Sequence, residues 1–215
     1  AFRVGEDGPT HQPVEQEAQI RLMEKLQNHK GHNSVLVLRP ADVHETTVAW
    51  KLAMENTSSP TALILSRQNI TNLPVRGNGF ESALQSAKGA YIVEDDGGTP
   101  DVVLLASGSE VATLIEGAAL LRQRDNLKVR VVSAPSEGLF RNQDPAYQKE
   151  VLPCKVPRFG MTAGLSVTLA GLVGENGAIW GMNSFGYSAP YKVLDEKLGF
   201  NGENVYRQVT KLLGK

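Results

Sequence analysis

The apolar residues of this chain fall into two rhythms. Short, nearly continuous runs read as buried strands: SVLVL at 34–38, TALIL at 61–65, DVVLLA at 101–106 and LKVRVV at 127–132. Spaced runs read as helices. VEQEAQIRLMEKLQN (14–28) places Ala18, Leu22, Met23 and Leu26 at helical spacing before QNHKGHN breaks it. DVHETTVAWKLAMEN offers Asp42 as N-cap with Glu45 three residues on, ahead of Val48, Leu52 and Ala53. The order strand, helix, strand is a βαβ unit, which implies a parallel sheet whose ligands gather beyond the carboxyl ends of the strands. Arg67 stands at such an end, in the polar close of PTALILSRQN.

From Thr71 to Gly98 the chain grows richer in Gly, Asn and Asp around one strand-like run, GAYIVED, and this stretch reads as a linker. A second α/β series then runs from DVVLLASGS through a helix over roughly 109–124 to LKVRVVSAP. VPRFGMTAG and GAIWGMN read as further strands, and GENVYRQVTKLLG as a closing amphipathic helix. The fold class is therefore α/β: a partial parallel sheet followed by a separate C-terminal α/β domain with a mostly parallel sheet.

Composition narrows the partners. The 215 residues are 41% hydrophobic and carry a formal net charge of -1, enough to fill a core and with no basic stripe for a nucleic acid. No apolar run approaches the roughly 20 residues that span a bilayer, the N-terminus has no secretory pattern, and the single cysteine, Cys154, excludes an internal disulfide. The expectation is a cytoplasmic protein with neither nucleic acid nor membrane as partner.

Two places carry candidate chemistry. The loop GEDGPTHQPVE (5–15) sets Asp7 near His11, a carboxylate and an imidazole suited to hydroxyl binding and proton exchange. Arg67 offers a fork of donors that fits a phosphate. Together they suit a phosphorylated, hydroxyl-rich substrate. The plainer reading is a surface histidine in a Gly/Pro loop and a solvated strand-end arginine. His29, His32 and His44 read as surface residues. The turn SGSEV (107–111) reads either as a tight strand-to-helix turn capped by Ser109 or as a helix N-terminus that binds an anion. CxxC, HExxH and GxSxG are absent from the sequence, which leaves zinc, metalloprotease and serine-hydrolase chemistry unsupported.

In order along the chain, GEDGPTHQPVE, LRPADVHETTVAWK, PTALILSRQN, ASGSEV and NGAIWGMNSFGYSAP closely resemble the C-terminal part of the transketolase family, over nearly the whole sequence. Such enzymes move a two-carbon ketol unit from a ketose phosphate to an aldose phosphate in the pentose phosphate pathway, using thiamine diphosphate and a divalent cation, Mg or Ca. By the resemblance His11 lies beside the cofactor's aminopyrimidine and the donor's first hydroxyl. Asp7 binds a substrate hydroxyl and Arg67 holds the sugar phosphate. The same template makes 1–75 the second half of the pyrimidine-binding middle domain, 76–97 a linker, and 98–215 a C-terminal domain away from the chemistry. It implies a homodimer with active sites between subunits. The diphosphate ligands, the metal ligands and the glutamate that activates the aminopyrimidine are expected outside this sequence.

The resemblance therefore predicts a chain that needs the rest of the enzyme: without it, no activity and no tight cofactor binding, since the carbanion chemistry belongs to the cofactor. Two other readings stand beside it. One is a related thiamine enzyme such as dihydroxyacetone synthase, distinguished by its acceptor. The other is a non-catalytic separate subunit or interaction module that requires an N-terminal partner. The sequence departs from the family in two places: KLQNHKGHNSVLVL lengthens the helix-to-strand connection, and FGMTAG carries Met161 where many members have an acid.

Overall fold

A computed structural model describes residues 8–74 and 80–215, so Asp7 lies outside the described residues. The first unit follows the βαβ expectation. Strand β1 (Leu36–Leu38) and β2 (Thr61–Leu63) pair in parallel, Leu36 opposite Thr61 and Leu38 opposite Leu63. Helix α2 (Val43–Glu55) crosses between them. Its start is the expected cap: the Asp42 carboxylate accepts from the Glu45 N–H at 2.8 Å, and Glu45 reaches back to the Ala41 N–H at 2.8 Å.

Helix α1 (Gln16–Met23) is shorter than its apolar spacing predicts, and most of the apolar stripe faces outward. It buries Ala18 and Arg21 and turns Leu22, Met23 and Leu26 outward. The reason is electrostatic. Arg21 and Glu24 find buried partners, so the charged side of the helix faces the protein. The long connection that follows is ordered by Asn28, whose side-chain oxygen accepts from the Lys30 and His32 N–H groups at 2.9 and 3.1 Å.

After α3 (Phe80–Ala83) and a 3-10 turn, the second sheet begins at β3 (Tyr91–Asp95), inside the 76–97 stretch. It continues with β4 (Val102–Ala106), β5 (Val129–Ser133), β6 (Arg158–Met161) and β7 (Ala178–Trp180) in the spatial order β3-β5-β4-β6-β7. All neighbours are parallel except β3 against β5. Every residue of β4 and β5 is buried, as expected for strands covered on both faces. One cover is α4 (Glu110–Asp125), packed on the terminal helix α9 (Gly202–Leu212), where Gly117 lets the Val205 side chain lie directly on the α4 backbone. Met161 is completely buried in this core, which accounts for an apolar residue there. Four short helices complete the unit: α5 (Glu137–Arg141), α6 (Pro145–Val151), α7 (Val167–Val173) and α8 (Tyr191–Leu198).

The two units share a polar, largely buried seam. Glu24 accepts from the Val37 N–H and the Ser136 hydroxyl, both at 3.1 Å. Tyr91 of β3 donates to Glu45 of α2 at 2.9 Å. Arg39, just after β1, donates its N–H to Pro135 O at 2.9 Å and accepts from the Gly108 N–H at 3.1 Å, so the end of β1 is threaded between the ends of β4 and β5.

Candidate active-site cavity

His11 ends a 3-10 turn, Pro9–His11, that Gly8 opens at φ 76°, in the left-handed region glycine tolerates. Its ring Nδ1 lies 2.9 Å from the Thr10 hydroxyl. The turn is fixed from the second unit. Gln12, fully buried, donates to Tyr187 O at 3.1 Å, and Val14 O accepts from the Leu165 N–H at 3.1 Å. Arg67 follows β2 on an exposed loop whose first residue, Ile64, donates to Leu38 O at 2.8 Å.

These two sequence candidates come together. His11 and Arg67 both line a cavity of about 300 Å³, with Arg39, Ser109, Glu110 and Gly164 among the other lining residues. The second unit thus supplies part of the wall, through the Ser107–Glu110 turn and the loop after β6, although the family template sets it away from the chemistry. His29 and His32 are exposed and His44 is partly so, as read from the sequence.

A row of alternating charges runs from the cavity wall, where Glu17, Arg39 and Glu110 stand, to Arg21 and Glu24. Arg39 meets Glu110 at 2.5 Å and Glu17 at 3.6 Å, and it donates to Ser107 O. Arg21 meets Glu17 at 2.9 Å, Glu24 at 3.7 Å and the Ser107 hydroxyl at 3.3 Å. Burial alone would raise the Glu17 carboxyl, but Arg39 and Arg21 outweigh it and hold it below the ordinary range. Burial works against the charge on Arg39, and Glu110 and Glu17 reverse the effect and push its pKa up. Glu24 has less cationic support, and burial raises it. Glu45, buried against Tyr91, is pushed up to about 7.

The Ser107 to Val111 turn is the tight strand-to-helix turn of the first sequence reading, without its cap bond. Ser109 holds the N-cap position with helical backbone angles, but its hydroxyl makes no cap bond and donates instead to Glu110 at 2.8 Å. The anion at this helix start is the chain's own Glu110. Gly108, at φ 67°, sits so close to Arg39 that an added Cβ would lie 2.7 Å from the guanidinium carbon. Sequence reasoning passed over Arg39 and Glu110 because a strand-end arginine and a first-turn glutamate ordinarily face water. The usable signal was LRP directly after a buried run. Among the described residues no group of three His, Cys, Asp or Glu side chains is placed to hold a metal ion, and no helix is long and apolar enough to cross a membrane.

Comparison with known proteins matches this geometry to one family. Residues 2–72 match the model for "Transketolase, pyrimidine binding domain", and residues 89–201 match "Transketolase-like TK C-terminal domain". The chain is 44% identical to transketolase 2 of Vibrio parahaemolyticus over 98% of its length, and 43% identical to the transketolase of Bacillus subtilis over 100%. It spans about 30% of the length of these relatives. Among solved structures, transketolase from Leishmania mexicana superposes with a TM-score of 0.85 at 39% identity, covering 100% of this chain and 29% of that one. A Pichia stipitis transketolase in complex with sedoheptulose 7-phosphate gives 0.83 at 30% identity, covering 100% and 29%. A split-gene transketolase, an inactive beta4 tetramer, shares the fold at 22% identity and a TM-score of 0.69, covering 96% of this chain and 64% of that one. Two family models in the expected order, laid over a βαβ unit and a five-stranded sheet that enclose His11 and Arg67, show that the chain belongs to the transketolase family.

Proposed function

We propose that this chain provides the substrate-binding side of a transketolase active site, in an enzyme that moves a two-carbon ketol unit between sugar phosphates. The observation that carries the reading is that His11 and Arg67, from loops far apart in sequence, face one cavity. Arg67 presents its guanidinium to the phosphate of the sugar. His11, held by its turn, serves as the imidazole that exchanges a proton at the donor's hydroxyl. Asp7, four residues before His11, binds a neighbouring hydroxyl. The Pichia stipitis relative, captured with a seven-carbon sugar phosphate, supports the substrate class.

Thiamine diphosphate, when bound, supplies the carbon centre that carries the ketol unit. The described residues fit only the outer part of such a site: an imidazole and a guanidinium on a cavity wall, with Glu17 and Glu110 already engaged by arginines. The diphosphate and divalent-cation ligands belong to the remainder of the enzyme. Alone, the chain then has no ketol-transfer activity and binds thiamine diphosphate no tighter than millimolar. Calorimetry tests this directly, and micromolar cofactor binding would overturn it. With the remainder of the enzyme supplied, His11→Ala and Arg67→Ala each lower kcat/KM at least tenfold, Arg67→Ala mainly through KM for the sugar phosphate. We further place the start of the second unit near Gly89, at φ 86°, whose Cβ position is filled by the backbone of α5.

A second reading has the chain as a separate polypeptide that pairs with another carrying the N-terminal portion. The split-gene relative of the same fold is its precedent. Intact mass in the source cells separates the two: near 23.2 kDa for a separate subunit, about three times that for one enzyme.

A further inference from the structure

We propose that the Ser107–Glu110 turn is the positioning element of the His11 and Arg67 cavity, with the Arg39–Glu110 ion pair as the joint through which it acts. The proposal rests on the substrate-site reading above and assigns the second unit a part in it.

From the joint, bonds run outward to both loops. On one side, Arg39 is continuous with Leu38, whose carbonyl accepts from Ile64 at 2.8 Å and so anchors the loop that carries Arg67. On the other, Glu110 also accepts from the Ala163 N–H at 3.4 Å. Two residues further, the Leu165 N–H holds Val14 O at 3.1 Å, which fixes the loop that carries His11. Glu17, on the helix that this loop enters, grips Arg39 from the third direction at 3.6 Å. One ion pair therefore sits where the supports of the two candidate residues meet.

The joint is built tightly. Arg39 is bound through both its main-chain groups, and Gly108 leaves room for its guanidinium where any side chain would collide. A purely stabilising role is the plainer account, but buried ion pairs are weak stabilisers compared with apolar packing of equal volume. In some proteins buried polar groups instead fix one geometry among several, and the proposal assigns that role here. That is what a two-loop site demands, because small displacements of binding groups cost affinity steeply.

The test uses the full 215-residue chain and the variants Glu110→Gln and Arg39→Lys for exchange, and the same chains with the remainder of the enzyme supplied for affinity, with ribose 5-phosphate as probe. Amide hydrogen exchange is followed at Gln12, Ile64 and Leu165, and at Val103 in β4 as reference. Positioning predicts exchange at least tenfold faster at the first three with Val103 unchanged, and ribose 5-phosphate affinity at least fivefold weaker in the folded protein. Acceleration of all four amides together, or unchanged probe affinity in a folded variant, overturns the proposal. If the unaltered chain, with the remainder of the enzyme supplied, shows no ribose 5-phosphate binding, the substrate reading fails, while the exchange pattern still decides the joint. Should Glu110→Gln fail to fold, Ser109→Ala removes one hydrogen bond to the same carboxylate and no charge. It gives the same pattern at smaller amplitude, and a uniform pattern there counts equally against positioning.

Discussion

Glu45 shows how a single cap residue becomes a pH-dependent part of the seam. Its carboxyl is buried, accepts from Tyr91 at 2.9 Å and from Ala41 at 2.8 Å, and has Asp42 as a nearby like charge. Burial raises it from an ordinary 4.5 to about 7. The unfolded chain therefore releases this proton first as pH rises, while the native state keeps it until about pH 7. Stability linked to Glu45 is complete below about pH 4.5, falls between 4.5 and 7, and is level above. The span corresponds to about 3 kcal/mol at 1.36 kcal/mol per pKa unit. Glu45→Gln removes the dependence, so urea denaturation of variant and parent at pH 4.5 and pH 8 should show the variant gaining by about that amount at the higher pH. The cap itself was legible in the sequence, since Asp42 and Glu45 have the spacing and the residue types. Arg39 and Glu110 were not, because burial of a charge is decided by a partner distant in the chain, and no local pattern records it.

Between elements, the α4 and α9 contact is set by a residue that local rules would replace. Gly117 stands inside a 16-residue helix, where alanine is favoured by about 1 kcal/mol. An added Cβ, however, would lie 2.3 Å from a Val205 methyl group. Overpacking outweighs propensity, and Gly117→Ala is expected to lower stability by about 1–3 kcal/mol in chemical denaturation. The same contrast explains what periodicity could read. Continuous apolar runs mark β4 and β5 because strands buried on both faces need little else, and the same kind of run marks β1 and the half-buried β2. Periodicity located α1 but not its buried side, since Leu22, Met23 and Leu26 are exposed while Arg21 and Glu24 hold the buried ion pairs. The helices α5 to α8 are short, and no repeating face marks them: α5 and α6 carry only the single caps Ser136 and Asp144, and α7 and α8 have no side-chain cap bond.

At the scale of the whole molecule the two units are unequal. Among the described residues, two strands with three paired positions form the first sheet, whereas five strands with helices on both faces form the second. A two-stranded sheet is marginal without further cover, so the seam carries much of the first unit's order. Limited proteolysis should therefore cut first before about residue 89, leaving a resistant C-terminal product, and equal resistance along the chain would contradict this division. The α/β class and the order of the two series were legible from the runs alone. The seam was not, because it is made of polar contacts between segments far apart in sequence.

The chain's two tryptophans fall one to each unit: Trp50 on the outer side of α2, 52% exposed, and Trp180 at the end of β7 with its indole N–H bonded to Leu198 O at 3.0 Å. Each unit thus carries its own chromophore, one wet and one partly sheltered. Emission at the red edge follows the smaller sheet and emission at the blue edge the larger, so loosening of either can be watched in an unlabelled sample without disturbing the seam between them.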